Sequence, residues 1–416
     1  MKVEFICFFA CALALVGCKD KVTTAIAKQM VEVNVNEMSF IDDFIENKDI
    51  VILGEASHGD GRTFEIKSDL VKYLVEEKGF TTFAFESRDF LEIAYIGGNS
   101  FLKDRLEESL KEDWVRQWSP WGPAQEIQGL VDVLTTKAIR PIGLETYSYT
   151  SELLALKLIK EKLAEDKHAI GLVDWRLLDE LHATIFEEPY DADTAEDLKS
   201  YVSILQDVYK EVLRSEVYDP FTLQLVENAS TSAELNYYSS LEANPTNLNK
   251  VITLRDLQMS KNLVWYKEQH PEAKIIVWMA NFHGAKELSA VTFEGEEDYS
   301  YENQKVFAEF VTEKYKDNVF SLAFTSSEGK SKMPYDFEGV EETIIVSPKN
   351  SLEEELALKG MDYGYIDFKA LRNQKRYNQQ RFHSILLGYH NQEGNWLNVF
   401  DGLFYIKRND RANPIE

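Results

Sequence analysis

The sequence predicts an α/β protein: a mixed, largely parallel central sheet flanked by helices, with a helical insertion or cap domain. Three observations predict it. From Met38 onward, short apolar runs alternate with helical stretches, the pattern of a layered α/β architecture. Two strand candidates at 49–54 and 81–86 enclose one segment of helical period, the form of a βαβ unit with parallel strands. A long stretch after the third strand candidate is rich in helical periods and poor in strand signals.

The first strand candidate is "DIVILG" at 49–54 and the second "TTFAFE" at 81–86. Between them Phe64, Lys67, Val71, Leu74 and Val75 fall at helical spacing, and Gly79 supplies a C-terminal stop. "IRPIGLE" at 139–145 and "AKIIVWMAN" at 273–281 are the third and fourth strands. Helices are clearest at 151–165, 195–215 and 248–269, all within the span between those two strands. Further strands are expected at 318–326, 363–368, 381–389 and 400–407, which makes the sheet mixed. The domain reading is a first part of the α/β domain over 37–149, a helical insertion or cap over 150–270, and a second part over 271–416. Internal repeats and low-complexity segments are absent.

The amino terminus has its own grammar. Lys2 precedes an apolar run from Phe5 to Val16 that is too short for a permanent membrane span, so 1–17 reads as a secretory signal. The run ends in "LVGC", which resembles the lipobox of bacterial lipoproteins and marks Cys18 as the acylated residue. A tether is expected over 18–36, and localisation at the bacterial cell envelope follows. All three cysteines (Cys7, Cys11, Cys18) lie in this segment, so the body has neither a disulfide nor a cysteine nucleophile. A formal net charge of −26 repels nucleic acid and anionic lipid, so the membrane is reached through the lipid anchor. "GDGR" lacks the lysine and hydroxyl of a phosphate cradle.

Each of the first four strands ends on polar residues: Glu55 and His58, then Glu86, then Glu145, then Asn281 and His283. Parallel strands place their carboxyl ends on one edge, where such residues converge on a crevice. Taken singly, a glutamate after a strand is ordinarily a helix N-terminal charge or a surface group. Lone histidines such as His168, His182, His270, His383 and His390 read as surface or core-satisfying residues. His58 differs, because glycines flank its turn and permit close approach of backbone or ligand.

The blocks "VILGEASHGDG", "LVEEKGFTTFAFES", "WSPW", "EIQGLVDVL", "GLE" (143–145), "RDLQMSKNLVWY" (255–266), "VWMANFHGA" (277–285) and "FDGLFYI" (400–406) resemble the erythromycin esterase family, in family order. The resemblance implies that Glu55, His58 and Glu86 match the family's glutamate, general-base histidine and second acidic residue. His283 matches the second histidine of its "W-A-H-N-x-H" block, and Lys67 a position usually basic. Glu145, Asn281 and Arg255 stand in the matching blocks as substrate-binding candidates. The sequence departs at Ala280, where the family usually has a histidine, and at Arg62, where an acidic residue is common.

The resemblance implies a hydrolase that cleaves a small-molecule ester, lactone or acyl ester, with a macrolide as the family's eponymous substrate and antibiotic resistance as the associated role. A neutral imidazole near pH 7 suits His58 to water activation, with Glu55 or Glu86 orienting the ring. His283 and Lys67 are candidates for polarising the carbonyl. No "G-x-S-x-G" element is present, so direct attack by water is expected and no cofactor is required. Two alternatives stay open on the same residues. Glu55, His58, Glu86 and His283 offer nitrogens and carboxylates suited to a divalent metal. A lipid-anchored binding protein is the other, with Trp114, Trp118, Trp121, Trp175 and Trp265 in or near the helical segment as pocket aromatics. The oligomeric state is left open.

Overall fold

The computed structural model describes residues 22–89, 121–137, 139–146, 156–157, 159–161, 163, 174–187, 194–214, 218–292, 300–334 and 341–415. The expected signal segment 1–17, Cys18, Trp114 and Trp118 lie outside them, as does most of the helix expected at 151–165. The strands are β1 (Val31–Glu32), β2 (Ile50–Leu53), β3 (Thr82–Asp89), β4 (Arg140–Glu145), β5 (Ile275–Trp278) and β6 (Val291–Thr292). They continue with β7 (Val319–Ser331), β8 (Thr343–Val346), β9 (Tyr363–Asp367), β10 (Phe382–Ser384), β11 (Gln392–Gly394) and β12 (Gly402–Asn409). Among the described residues the main sheet has nine strands in the order β1-β9-β12-β7-β2-β5-β3-β4, with β8 on β7. The pairs β2·β5, β2·β7 and β7·β12 are parallel, and β1·β9, β9·β12 and β7·β8 are antiparallel. The fold is therefore the mixed, mostly parallel α/β sheet that the alternation of apolar runs predicts.

Two compact units divide the chain: 1–83 with 111–140 and 274–416, and 84–110 with 141–273. In the first unit β2 is central. Ile50 to Leu53 are all fully buried, flanked in register by Ile275–Trp278 on one side and Val319–Leu322 on the other. A strand covered on both faces reads as an unbroken apolar run, which is why "IVIL" shows no alternation. Each such side chain stabilises the fold by about 1.5–3 kcal/mol. The Gly61–Lys78 helix follows β2 and buries Phe64, Ile66, Leu70, Val71 and Leu74. It ends at Gly79, whose φ of 69° is the left-handed C-cap that glycine adopts without strain.

Two expectations need correction here. Residues 22–36 are no tether. Residues 22–27 are helical, Ile26, Ala27, Met30 and Val33 are buried, and Val31 and Glu32 pair with Tyr365 and Gly364. The apolar side chains at 26, 30 and 33 are too few to show a period, yet they suffice to fix the segment on the sheet edge. The strand expected at 381–389 is limited to Phe382–Ser384, which belongs to a separate sheet of order β10-β11-β6. Beyond it Gly388 (φ 64°) and Tyr389 (φ 61°) are left-handed, a conformation incompatible with an extended strand.

The second unit is helical over the described part of 174–269: Trp175–Glu187, Thr194–Arg214, Pro220–Ser240 and Pro245–Gln269. Its core is apolar and contiguous, from Leu178 and Leu181 through Leu198, Tyr201 and Leu205 to Leu225 and Ala229. Asp219 and Asn244 cap the last two helices by accepting from Thr222 N–H and Asn247 N–H, each followed by proline at the first helical position.

Candidate active site

Strand β2 ends at Leu53, and Gly54 turns the chain so that Glu55 enters the interior. A Cβ on Gly54 would lie 2.0 Å from Asn281 Oδ1, so no larger residue fits between the two turns. Gly59 is equally constrained, because its Cβ would meet the Lys332 backbone at 2.4 Å. Gly54 admits the Asn281 amide and Gly59 the Lys332 backbone, and the turn is thereby clamped rather than loose.

Glu55 is fully buried and both its carboxylate oxygens are engaged. Oε1 lies 3.0 Å from His58 Nδ1, and Oε2 pairs with the Lys67 ammonium, itself fully buried. Lys67 reaches Glu55 from the Gly61–Lys78 helix, with its Nζ 3.9 Å from the centre of the Trp278 ring. Trp278 stacks on Trp121 at 6.3 Å, and Trp121 covers the His58 ring at 5.3 Å. His58 keeps 25% of its side-chain surface open to solvent. Carboxylates only accept, so Nδ1 carries the proton and the ring's basic lone pair lies on Nε2.

His283 follows β5 on the short Asn281–Gly284 helix, buried, with its ring edge-on to Phe282. Since β2 and β5 are parallel neighbours with Leu53 opposite Trp278, His58 and His283 both leave the same edge of the sheet. Asn281 N–H donates to Glu55 O at 2.7 Å and ties the two turns together. The Asn281 side chain is spent on structure: Nδ2 donates to Phe324 O (2.8 Å) and Leu386 O (2.7 Å), and Oδ1 accepts from Phe324 N–H (3.2 Å). It is a buried clamp, which corrects the substrate-binding role expected for it. Lys67 is likewise committed to a buried carboxylate instead of facing an open crevice.

Glu86, Glu145 and Arg255 belong to the second unit. Arg255 Nε donates to Glu145 at 2.7 Å and Nη2 lies 3.4 Å from Glu86. Burial works against the guanidinium charge, but Glu145 and then Glu86 outweigh it and hold the arginine above its ordinary pKa. Asn262 of the same unit donates to Leu144 O at 2.8 Å and anchors the end of β4. Trp265 Nε1 donates to Pro220 O, and its ring lies tilted against Phe221.

Sequence reasoning missed Asp60 and the pair Trp121–Trp278 as elements of the His58 environment. Asp60 is fully buried, and burial pushes its carboxyl up to about 7. It accepts from Ser57 N–H (3.0 Å), Tyr389 O–H (2.9 Å) and Asn409 Nδ2 (3.2 Å). The only local signal was an acidic residue two positions past the histidine. Among the described residues, no group of three His, Cys, Asp or Glu side chains is placed to hold a metal ion.

A mostly parallel α/β sheet with a Glu-His turn at the end of a central strand defines the class. The chain belongs to the erythromycin esterase family, whose model matches residues 75–408. "Putative hydrolase YbfO" of Bacillus subtilis (strain 168) is 22% identical over 378 residues, covering 82% of this chain and 78% of that one. A Bacillus cereus protein of known crystal structure superposes with TM-score 0.70 at 17% identity, covering 96% of this chain and 99% of that chain. A mutant of erythromycin esterase EreC in its open conformation superposes with TM-score 0.64 at 15% identity, covering 92% and 97%.

Proposed function

We propose that this protein hydrolyses a carboxylic ester, a lactone or an acyl ester, by water that His58 activates directly. The observation that carries the reading is the bond from His58 Nδ1 to buried Glu55, which fixes the tautomer with its basic lone pair on Nε2. Nε2 takes a proton from water as the oxygen attacks the ester carbon. The imidazolium then returns the proton to the leaving alkoxide, so atoms and charge balance. Glu55 and Lys67 cancel each other, so the cluster gains a net positive charge as the ring protonates. That charge grows in step with the oxyanion and stabilises it more than it does the ground state. His283, on the same sheet edge, is the second group assigned to the carbonyl oxygen.

Family membership and the hydrolase name of the Bacillus subtilis relative support hydrolysis. The lipobox at Leu15–Cys18 supports a bacterial envelope lipoprotein acylated on Cys18, and no helix among the described residues is long and apolar enough to cross a membrane. The test is a screen of the purified protein against aryl acetates, acyl sugars and a macrolide lactone, each with and without chelator. Turnover that survives chelation and is lost in His58→Asn supports the reading. Loss on chelation with recovery by one divalent ion moves the same residues to a metal-dependent hydrolase. Saturable binding with no turnover makes the chain a binding protein.

A further inference from the structure

We infer that Asp60 is a positioning residue for His58, acting with Tyr389 through the backbone of the Ser57–Asp60 turn. The inference rests on the reading of His58 as the base and extends it to a residue that touches neither His58 nor the reacting atoms. Asp60 Oδ2 accepts from the N–H of Ser57, the residue immediately before His58, and from the Tyr389 hydroxyl; Oδ1 accepts from Asn409 Nδ2. One buried carboxyl thus joins three chain segments that are remote in sequence. The backbone repeats the arrangement: Gly388 N–H donates to Ala56 O at 3.1 Å, and Ala412 N–H to Gly59 O at 2.9 Å. Gly61 N–H donates to Asp410 O at 2.8 Å, and Asp60 and Arg411 form an antiparallel bridge.

The same carboxyl-terminal stretch runs on to the segment that carries Trp121. Gln125 N–H donates to Asn413 O at 2.8 Å and Ile415 N–H to Pro123 O at 3.0 Å. The backbone beside the His58 ring is therefore held by Asp60, and the segment that carries its covering indole is held by the carboxyl-terminal stretch that Asp60 bridges. Tyr389 reaches Asp60 from a residue with φ 61°, a costly backbone for a bulky side chain that surrounding contacts must maintain. Without Asp60 the turn keeps its glycines and its flanking bridges but loses the bond at Ser57, so the imidazole is released from Glu55 before the fold is.

The test uses nitrogen-15 and proton spectra of the histidine rings in the full chain, with His58→Asn assigning the His58 signal. A slowly exchanging, downfield Nδ1–H reports the bond to Glu55. We expect it in the original protein and in Asp60→Asn, whose Oδ1 still accepts from Ser57 N–H, and we expect its loss in Asp60→Ala. Against an aryl acetate, Asp60→Ala should lower kcat roughly 10- to 100-fold with little change in KM, the scale of a misplaced catalytic group. Asp60→Asn should recover part of it, because its Oδ1 keeps the bond at Ser57 while its Nδ2 cannot accept from Asn409 Nδ2 as the carboxylate does. Tyr389→Phe, which keeps the ring in place, should weaken the same signal, and it decides the matter if Asp60→Ala fails to fold. An Nδ1–H signal and kcat unchanged in Asp60→Ala, or in Tyr389→Phe where only that variant folds, overturn the inference. Undiminished turnover in His58→Asn overturns the proposed chemistry instead, and leaves the positioning inference to stand or fall on the Nδ1–H signal.

Discussion

Glu55 divides its two oxygens between His58 and Lys67: Oε1 takes the imidazole at 3.0 Å and Oε2 the buried ammonium. One side chain thereby sets the tautomer of His58 and cancels a charge that the interior would not otherwise tolerate. Replacing His58 with asparagine should preserve the fold and lower turnover by at least about 100-fold, the scale for losing a positioned base. Glu55→Gln should also lower turnover, since its amide donates where the carboxylate accepts. Steady-state kinetics on the best ester of the screen, with melting curves for both variants, check this.

Lys67 has a structural consequence that His58 lacks. Removing one partner of a fully buried ion pair leaves the other charge without compensation, at a cost of roughly 3–5 kcal/mol. Lys67→Met should therefore be strongly destabilised in chemical denaturation. The double variant Lys67→Met, Glu55→Gln should regain part of that stability without regaining turnover. Equal stability of the two variants would remove the pair from this role.

How far the sequence shows all this depends on the range of the interaction. β2 is legible because its burial on both faces leaves a plain apolar run, and the polar residues after β2 and β5 are legible because strand interiors tolerate none. The pairing of Tyr389 with Asp60 spans 329 residues, and no local period encodes it. "ILLGYH" reads as strand because its apolar residues are buried, but they are buried beneath the Glu55–Asp60 turn and not in the sheet. Asn281 misled in the opposite sense: a polar residue at a strand end looks available to ligand, whereas its amide is consumed by three backbone groups.

Gly59 offers a steric test of the clamped turn. A methyl group there meets the Lys332 backbone, which cannot swing aside as a flexible side chain does. Gly59→Ala should cost about 1–3 kcal/mol, the range for overpacking, and should lower kcat through displacement of His58. A Gly59→Ala protein with unchanged melting temperature and kcat would contradict the close approach.

The envelope reading rests on "LVGC" behind an apolar segment. Cys18→Ser should release the protein from the membrane fraction or block its processing, because acylation supplies about 0.8 kcal/mol per buried methylene. Fractionation and gel mobility identical to the original protein would end the lipoprotein proposal.

The pH dependence of stability follows from Asp60. Its carboxyl ordinarily titrates at 3.8, and burial raises it to about 7 in the folded chain. Between those values the native state holds a proton that the unfolded chain has released. Stability therefore falls as pH rises from about 4 through about 7, and the contribution of the neutral acid is lost above that range. Glu353, fully buried and also raised by burial, adds a dependence of the same sign. Asp60→Asn mimics the protonated carboxyl at every pH, so its stability should decline less steeply over the same interval. Urea denaturation at a series of pH values for the two proteins measures the difference, and parallel curves would show that Asp60 does not titrate in this window.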